Sequence, residues 1–212
     1  MKAKHYIEIG LQRDHLYDQF RAKEHGLPMD GMARDVIAEV IHIAHGVAAH
    51  NNFMFAVDYP YMLEPQAGQA PHVGGMVRIF AQDPQHLNLI AQAVKRSLNI
   101  RHLVGVSKTH QSPKAGRGHS FNQVRHNNSK YAICRDNDVS SSPRVPMSVE
   151  RMEKKLAHLA LLPYLSIYAQ SAQRNFKLYI RKAPGAWDPE VEIHPNGYGL
   201  SVATRPFVLP AI

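Results

Sequence analysis

Apolar and polar residues alternate over His5–Leu11, with Ile7, Ile9 and Leu11 on one side; that period of two predicts a strand. The spacing then lengthens. Over residues 32–51, Val36, Ile37, Val40, Ile41, Ile43, Ala44, Val47 and Ala48 fill one continuous arc at helical periodicity, with Asp30 as N-cap behind Pro28. Period two returns over residues 53–59, where Phe53, Phe55, Val57 and Tyr59 share a face and Pro60 closes the run. Residues 62–75 show no period and read as a loop; Met76–Ala81 is a further strand. Asp83-Pro84 pairs an N-cap with proline at the first helical position, and Leu87, Ile90, Ala91 and Val94 carry the helix to about Ser97. Residues 100–106 form the next strand. The order β-α-β-β-α-β is the ferredoxin-like (RRM-like) plan.

Past Val106 the pattern changes. Residues 107–119 are basic and rich in Gly and Pro, which sets a boundary between two halves, 1–106 and 107–212. In the second half residues 148–162 read as a helix, with Val149, Met152, Leu156 and Leu159 on one face. Tyr164–Ala169 and residues 176–181 read as two strands around a turn, and Lys177 and Arg181 share a face of the second. Residues 13–28 are a polar surface excursion. The fold class is α+β.

Composition narrows the partner. The 212 residues carry 25 Lys+Arg against 17 Asp+Glu, a formal charge of +8, which favours a polyanion such as nucleic acid over a basic protein merely kept soluble by its charge. One cysteine, Cys134, excludes an intrachain disulfide and a cysteine-based zinc site. No apolar run reaches the length of a membrane span, and the N-terminus has no signal-like core, so a cytoplasmic protein without a membrane partner is expected.

Candidate chemistry centres on His45. It lies just outside the apolar arc, on the seam between buried and exposed, and a histidine pKa near 6.5 suits a general base. Helical histidines at a core edge are also commonly structural, so position alone leaves both readings open. His42 and His45 lack the i, i+4 spacing with intervening Glu of a zinc protease helix, and neither a metal nor a cofactor is expected. Lys108, Lys114 and Arg117 in the 107–119 segment are either phosphate contacts or part of a solvated linker. Arg125 and Asn127 carry side chains able to read base edges. Gly197-Tyr198-Gly199 is a glycine-flanked tyrosine that reads as a turn with a packed ring or as a phenol set close to a phosphate.

Several motifs occur together in one order: a strand with His5-Tyr6-Ile7-Glu8-Ile9, then Ala44-His45-Gly46, a strand closing in Asp58-Tyr59-Pro60, the run Asn175-Phe176-Lys177-Leu178-Tyr179-Ile180-Arg181, Gly197-Tyr198-Gly199-Leu200-Ser201, and Phe207-Val208-Leu209-Pro210. In this the chain resembles the subtype I-F CRISPR repeat-processing endoribonucleases, most closely at the C-terminal end. The resemblance implies a metal-independent enzyme with a ferredoxin-like N-terminal domain and a smaller C-terminal α/β RNA-binding region. It would bind the repeat hairpin of precursor CRISPR RNA, cut at the 3′ base of the stem to leave 2′,3′-cyclic phosphate and 5′-hydroxyl ends, and remain as a subunit of the type I-F surveillance complex. It implies His45 as base on the 2′-hydroxyl, Tyr198 as the active-site tyrosine, Phe176 as the aromatic against the base of the stem and Ser171 as one of two flanking serines. The other serine position holds Ala169, and the stretch matching the family's arginine-rich helix, residues 129–136, carries only Lys130 and Arg135. A hairpin-binding subunit that has lost cleavage, and an unrelated RNA-binding protein of ferredoxin-like fold, are the alternatives.

Overall fold

The structure is a computed structural model in which residues 1–12, 29–63, 70–124, 149–169 and 173–212 are described. Nine strands and three helices are defined among them: β1 (His5–Leu11), α1 (Met29–His50), β2 (Ala56–Asp58), β3 (Met76–Ala81), α2 (Pro84–Arg96), β4 (Val104–Val106), β5 (His110–Gln111), β6 (Gly116–Val124), α3 (Val149–Ala160), β7 (Tyr164–Ala169), β8 (Arg174–Trp187) and β9 (Leu209–Pro210). They build two antiparallel sheets. The first runs β2-β3-β1-β4, with β5 also paired to β1; the second runs β7-β8-β6-β9.

Alternation along the strands gives each face of the first sheet its own task. Ile7, Ile9, Val57, Val77 and Ile79 point to one side, where they pack with Val36, Ile37, Val40, Ile41 and Ala44 of α1 and Leu87, Ile90 and Val94 of α2. Tyr6, Ala56 and Phe80 point to the other side and pack with Trp187, Ile193, Phe207 and Leu209. The α1 arc does not end at the first sheet: Leu165 and Ile167 of β7, with Leu178 and Ile180 of β8, belong to the same buried cluster. Helix α1 therefore lies against both sheets, which binds the two halves of the chain through one core. α2 starts as its sequence requires, with the Asp83 side chain accepting from Gln85 N at 2.8 Å.

Some elements depart from the pattern-based expectation. Asp30 lies inside α1 rather than capping it, because the helix reaches back to Met29. The strand expected over 53–59 shrinks to β2: Phe53 N donates back to Ala48 O at 3.0 Å, and the Phe53 ring stacks on His86. The strand expected over 100–106 shrinks to β4, since Arg101 and Leu103 donate to Ser97 and Ile100 in turns that follow α2. Leu156 of α3 is exposed, not core, although Leu159 is buried. The 107–119 segment is partly sheet: β5 pairs with β1, and β6, which begins at Gly116, pairs with β8 and β9. Gly118 serves close approach rather than flexibility, because a Cβ there would collide with the Leu209 carbonyl, whereas a Cβ on Gly116 would meet no close neighbour. The strand expected over 176–181 extends to fourteen residues as β8.

One charged cluster is buried where the first sheet meets the second. Arg78 of β3 donates from Nε to Glu8 Oε1 at 2.8 Å and from Nη1 to Asp58 Oδ2 at 3.1 Å. Asp58 is 4% exposed and Arg78 8%. Burial pushes the Asp58 carboxyl above its ordinary value, and the Arg78 guanidinium pulls it back only in part. The Arg78 guanidinium itself is disfavoured by burial but held in its charged form by Glu8 and Asp58. Arg78→Met leaves both carboxylates without that partner, so unfolding free energy should fall by about 3–5 kcal/mol. The native Asp58 binds its proton more tightly than the unfolded chain does, so its contribution to stability decreases as pH rises through that window. Without Arg78 the window widens, and denaturant melts should show the deficit of Arg78→Met shrinking on acidification. An equal deficit at all pH values would argue against an ionised Asp58 in that mutant.

Candidate active site

His45 stands near the C-terminal end of α1, half-buried at the edge of the core. Its ring meets a turn contributed from the far end of the chain. His45 Nδ1 lies 2.7 Å from the carbonyl oxygen of Gly197. A carbonyl can only accept, so in the neutral ring the proton sits on Nδ1, which donates it to Gly197. Nε2 is then the nitrogen with the lone pair.

The turn is built by Asn196-Gly197-Tyr198-Gly199-Leu200. Asn196 Oδ1 accepts from Tyr198 N at 2.9 Å and Leu200 N at 3.0 Å, the pattern by which Asn folds the backbone two residues ahead. Gly199 N donates to Asn196 O, and Asn196 N to Leu200 O, both at 2.9 Å. Gly199 has φ +75, and a Cβ there would stand 2.9 Å from both Phe55 and Val57, so shape and conformation alike require glycine. A Cβ on Gly197 would lie 3.1 Å from His45 Cε1 and 3.2 Å from Nδ1, so the imidazole fits against a bare backbone.

The turn also brings an aromatic row to His45. The Tyr198 ring centroid is 4.9 Å from that of His45, tilted by 31°. Phe176 of β8 meets Tyr198 edge-on at 5.8 Å. Phe176 and Tyr198 pack on the edge of the main core without being fully buried. Partial burial holds the Tyr198 phenol above its ordinary value, so it remains protonated, a donor as well as an acceptor, at neutral pH.

The expected site residues thus divide. His45, Tyr198 and Phe176 come together from α1, the C-terminal turn and β8. Ser171, Arg125 and Asn127 lie outside the described residues. Ala169 closes β7, paired with Arg174 across the hairpin. Lys108, Lys114 and Arg117 are exposed, but they belong elsewhere: Arg117 pairs with Ala186, ten positions along β8 from Phe176. At about 3.3 Å per residue that puts Arg117 roughly 30 Å along the sheet from Phe176. His42 does not join His45 but lines a groove of about 350 Å³ with Asp35, Glu39, Ser166, Tyr168 and Asn175. No group of three or more His, Cys, Asp or Glu side chains among the described residues is arranged to hold a metal ion. No described helix is long and apolar enough to cross a membrane.

Two features escape pattern reading. Gln123, one of a row of polar residues in sequence, turns inward: its Oε1 accepts from Asn196 Nδ2 at 2.9 Å. Arg34 of α1 and Lys177 of β8 both lie over the Tyr164 ring, at 4.9 and 4.4 Å, and Arg34 Nη1 donates to the Tyr164 hydroxyl at 2.8 Å. The Asn-Gly step at 196–197 was the available signal for the first, since that pair marks a tight turn. For the second there is none, because Arg34 and Tyr164 are 130 residues apart.

A family model described as CRISPR-associated protein (Cas_Csy4) matches residues 27–207 of the chain. No curated protein matches it. The matched span includes His45, Phe176, Tyr198 and the turn between Asn196 and Leu200.

Gly199→Ala forces a side chain into an αL position and against two core residues. It should destabilise the protein by about 1–3 kcal/mol, measured by chemical unfolding. Gly197→Ala, with negative φ and one mobile ring to displace, should cost clearly less stability. The reverse ranking would show that the turn adopts another conformation in solution.

Proposed function

The chain belongs to the Cas_Csy4 family of type I-F CRISPR repeat-processing endoribonucleases, and from that premise we propose the chemistry of its own site. It binds the hairpin of the CRISPR repeat, with the base of the stem against Phe176. His45 Nε2 accepts the proton of the 2′-hydroxyl upstream of the scissile phosphate. The 2′-oxygen attacks phosphorus in line, the P–O5′ bond breaks, and the 5′-oxygen takes up a proton. The products are a 2′,3′-cyclic phosphate and a 5′-hydroxyl. The observation that carries this reading is the bond from His45 Nδ1 to the Gly197 carbonyl, which assigns the lone pair to the other nitrogen. A proton acceptor in fixed geometry is what an internal transesterification needs from its enzyme. Tyr198 packs against the imidazole and has a phenol available to a phosphate oxygen.

In the same proposal the protein keeps its cleaved hairpin and enters the type I-F surveillance complex, in the cytoplasm. The order β2-β3-β1-β4 with both helices on one face supports a ferredoxin-like reading of the first half, followed by an RNA-binding region from residue 107. Ser171, outside the described residues, takes the role of the serine that the family pattern sets beside the active site. Arg125 and Asn127 read bases beyond the end of β6. Ala169, where the family pattern has a serine, favours a second reading, a hairpin-binding subunit with slow or no cleavage; single-turnover cleavage of the repeat by the unmutated chain distinguishes the two, and Ala169→Ser should leave that rate equal or raise it.

His45→Ala should leave hairpin affinity nearly intact and lower single-turnover cleavage by about 10²–10⁴-fold, roughly 3–5 kcal/mol in the barrier. A repeat with one 2′-deoxy sugar before the scissile phosphate should bind and stay uncut. Near wild-type cutting by a folded His45→Ala protein would end the proposal. Cleavage should also persist in excess chelator; loss restored by a divalent ion would assign the chemistry to a metal.

Replacing Lys108, Lys114 and Arg117 together addresses the remote basic segment. Phosphate contacts there would flatten the slope of log affinity against log salt, by about 0.9 per duplex phosphate on the DNA scale. The cleavage rate at saturating RNA should not change, since the contacts His45 makes are to Gly197 and Tyr198. An unchanged slope would make the segment only a structural connection.

A further inference from the structure

The catalytic reading leaves open what keeps Nε2, rather than Nδ1, as the unprotonated nitrogen of His45. Gly197 supplies the accepting carbonyl, yet a glycine cannot orient its own backbone. The groups that do so converge on Asn196. Its side-chain oxygen accepts from Tyr198 N and Leu200 N, its backbone accepts from Gly199 N and donates to Leu200 O. With those bonds made, the Gly197 carbonyl is directed at the imidazole, 2.7 Å from Nδ1. The remaining polar group of the Asn196 side chain, its Nδ2, donates to Gln123 Oε1 of β6 at 2.9 Å. β6 is in turn tied to the stretch after the turn, since Gln123 N donates to Ser201 O and Ser201 N to Phe121 O, both at 2.9 Å.

We propose that Asn196, tethered by Gln123, is a positioning residue that sets the tautomer of His45 by fixing the Gly197 carbonyl on Nδ1. The same side chain places the Tyr198 backbone, so the phenol ring and the base are registered by one residue. Gln123 lies on the strand that leads directly into Arg125. The tether therefore links the start of the segment proposed to read RNA bases with the turn that holds the general base. This inference rests on His45 acting as the base.

The test uses the full chain with ring nitrogens of its histidines isotope-labelled, the His45 signals being identified by their absence from His45→Ala. Unmutated protein should show His45 protonated on Nδ1 when neutral. In Asn196→Ala the population should move toward the Nε2-protonated form. Single-turnover cleavage of the repeat hairpin should fall by about 10- to 100-fold, the scale of ångström misplacement of a catalytic group, with affinity within about twofold. Asn196→Ser keeps an oxygen able to accept from Tyr198 N and should recover part of both signals. Gln123→Leu cuts the tether alone and should shift both in the same direction by less, which keeps the idea testable if Asn196→Ala does not fold. The proposal is overturned if folded Asn196 and Gln123 variants retain the Nδ1 proton, whatever happens to their rates. Should the unmutated chain cut no repeat RNA, the nuclease reading fails, while the nitrogen signals still decide whether Asn196 sets the tautomer.

Discussion

Val57 donates its backbone N–H to the carbonyl of Gly199 at 2.9 Å. β2 is an edge strand of the first sheet, hydrogen-bonded to β3 on its other side. An unpaired edge group would have to face water or another chain. Here it is satisfied by a residue from the C-terminal turn, and that single pairing forces the turn against the end of the first sheet. Gly199 can approach so closely because Phe55 and Val57 would meet any Cβ it carried. Once the turn is docked there, Gly197 and Tyr198 lie over α1 at His45. The active-site geometry is therefore a consequence of closing a sheet edge, not a separate assembly.

Two sets of forces hold that docking. One is apolar and continuous: Phe121, Leu165, Ile167, Leu178, Ile180 and Leu200 share a buried cluster with α1 and the first sheet. The other is ionic, with Glu8, Arg78 and Asp58 buried on the opposite sheet face and Lys182 of β8 close enough to pull the Asp58 carboxyl down. The ionic set is costly to dehydrate, so removing one member costs more than the intact set contributes. Asp58 follows Val57 directly, so a shift of β2 against β3 would break the ion pair and the Val57–Gly199 bond together.

Much of the first half was legible because its strands and helices are amphipathic with clean periods. β1 and β3 match their expected bounds, and α2 was marked by Asp83-Pro84 and Leu87, Ile90 and Val94. The shortened β2 and β4 show the limit: Phe53 and Ile100 are apolar and in phase, yet their neighbourhoods bond to helix ends rather than to the sheet, which no period reports. Gly118 reads as part of a flexible loop when the space beside Leu209 and Val208 is what demands it. At the site, His45 was visible as a seam residue and Tyr198 as a glycine-flanked ring, but their contact spans about 150 positions of chain. Only the resemblance to a family, carried by motif order, placed them together. Asn196 was missed because a bond network made by one side chain leaves no periodic trace.

The charge distribution separates two tasks that composition merges. A net charge of +8 suggests a polyanion partner but does not say where it lies. Among the described residues the contacts of His45, Tyr198 and Phe176 form a row of rings, while the exposed Arg117 sits some tens of ångströms along the sheet. Arg34 and Lys177, nearer the row, are both held against the Tyr164 ring, which limits their freedom and sets them as fixed positive points beside the β7–β8 hairpin. Long-range attraction needs only summed charge, and it can be supplied by distant side chains. Proton transfer needs one nitrogen at one position, and a dense cluster of cations beside it would stabilise the neutral imidazole while making the site a general anion trap. Among the described residues the imidazole meets the Tyr198 ring and the Gly197 carbonyl, and that carbonyl decides which nitrogen carries the proton.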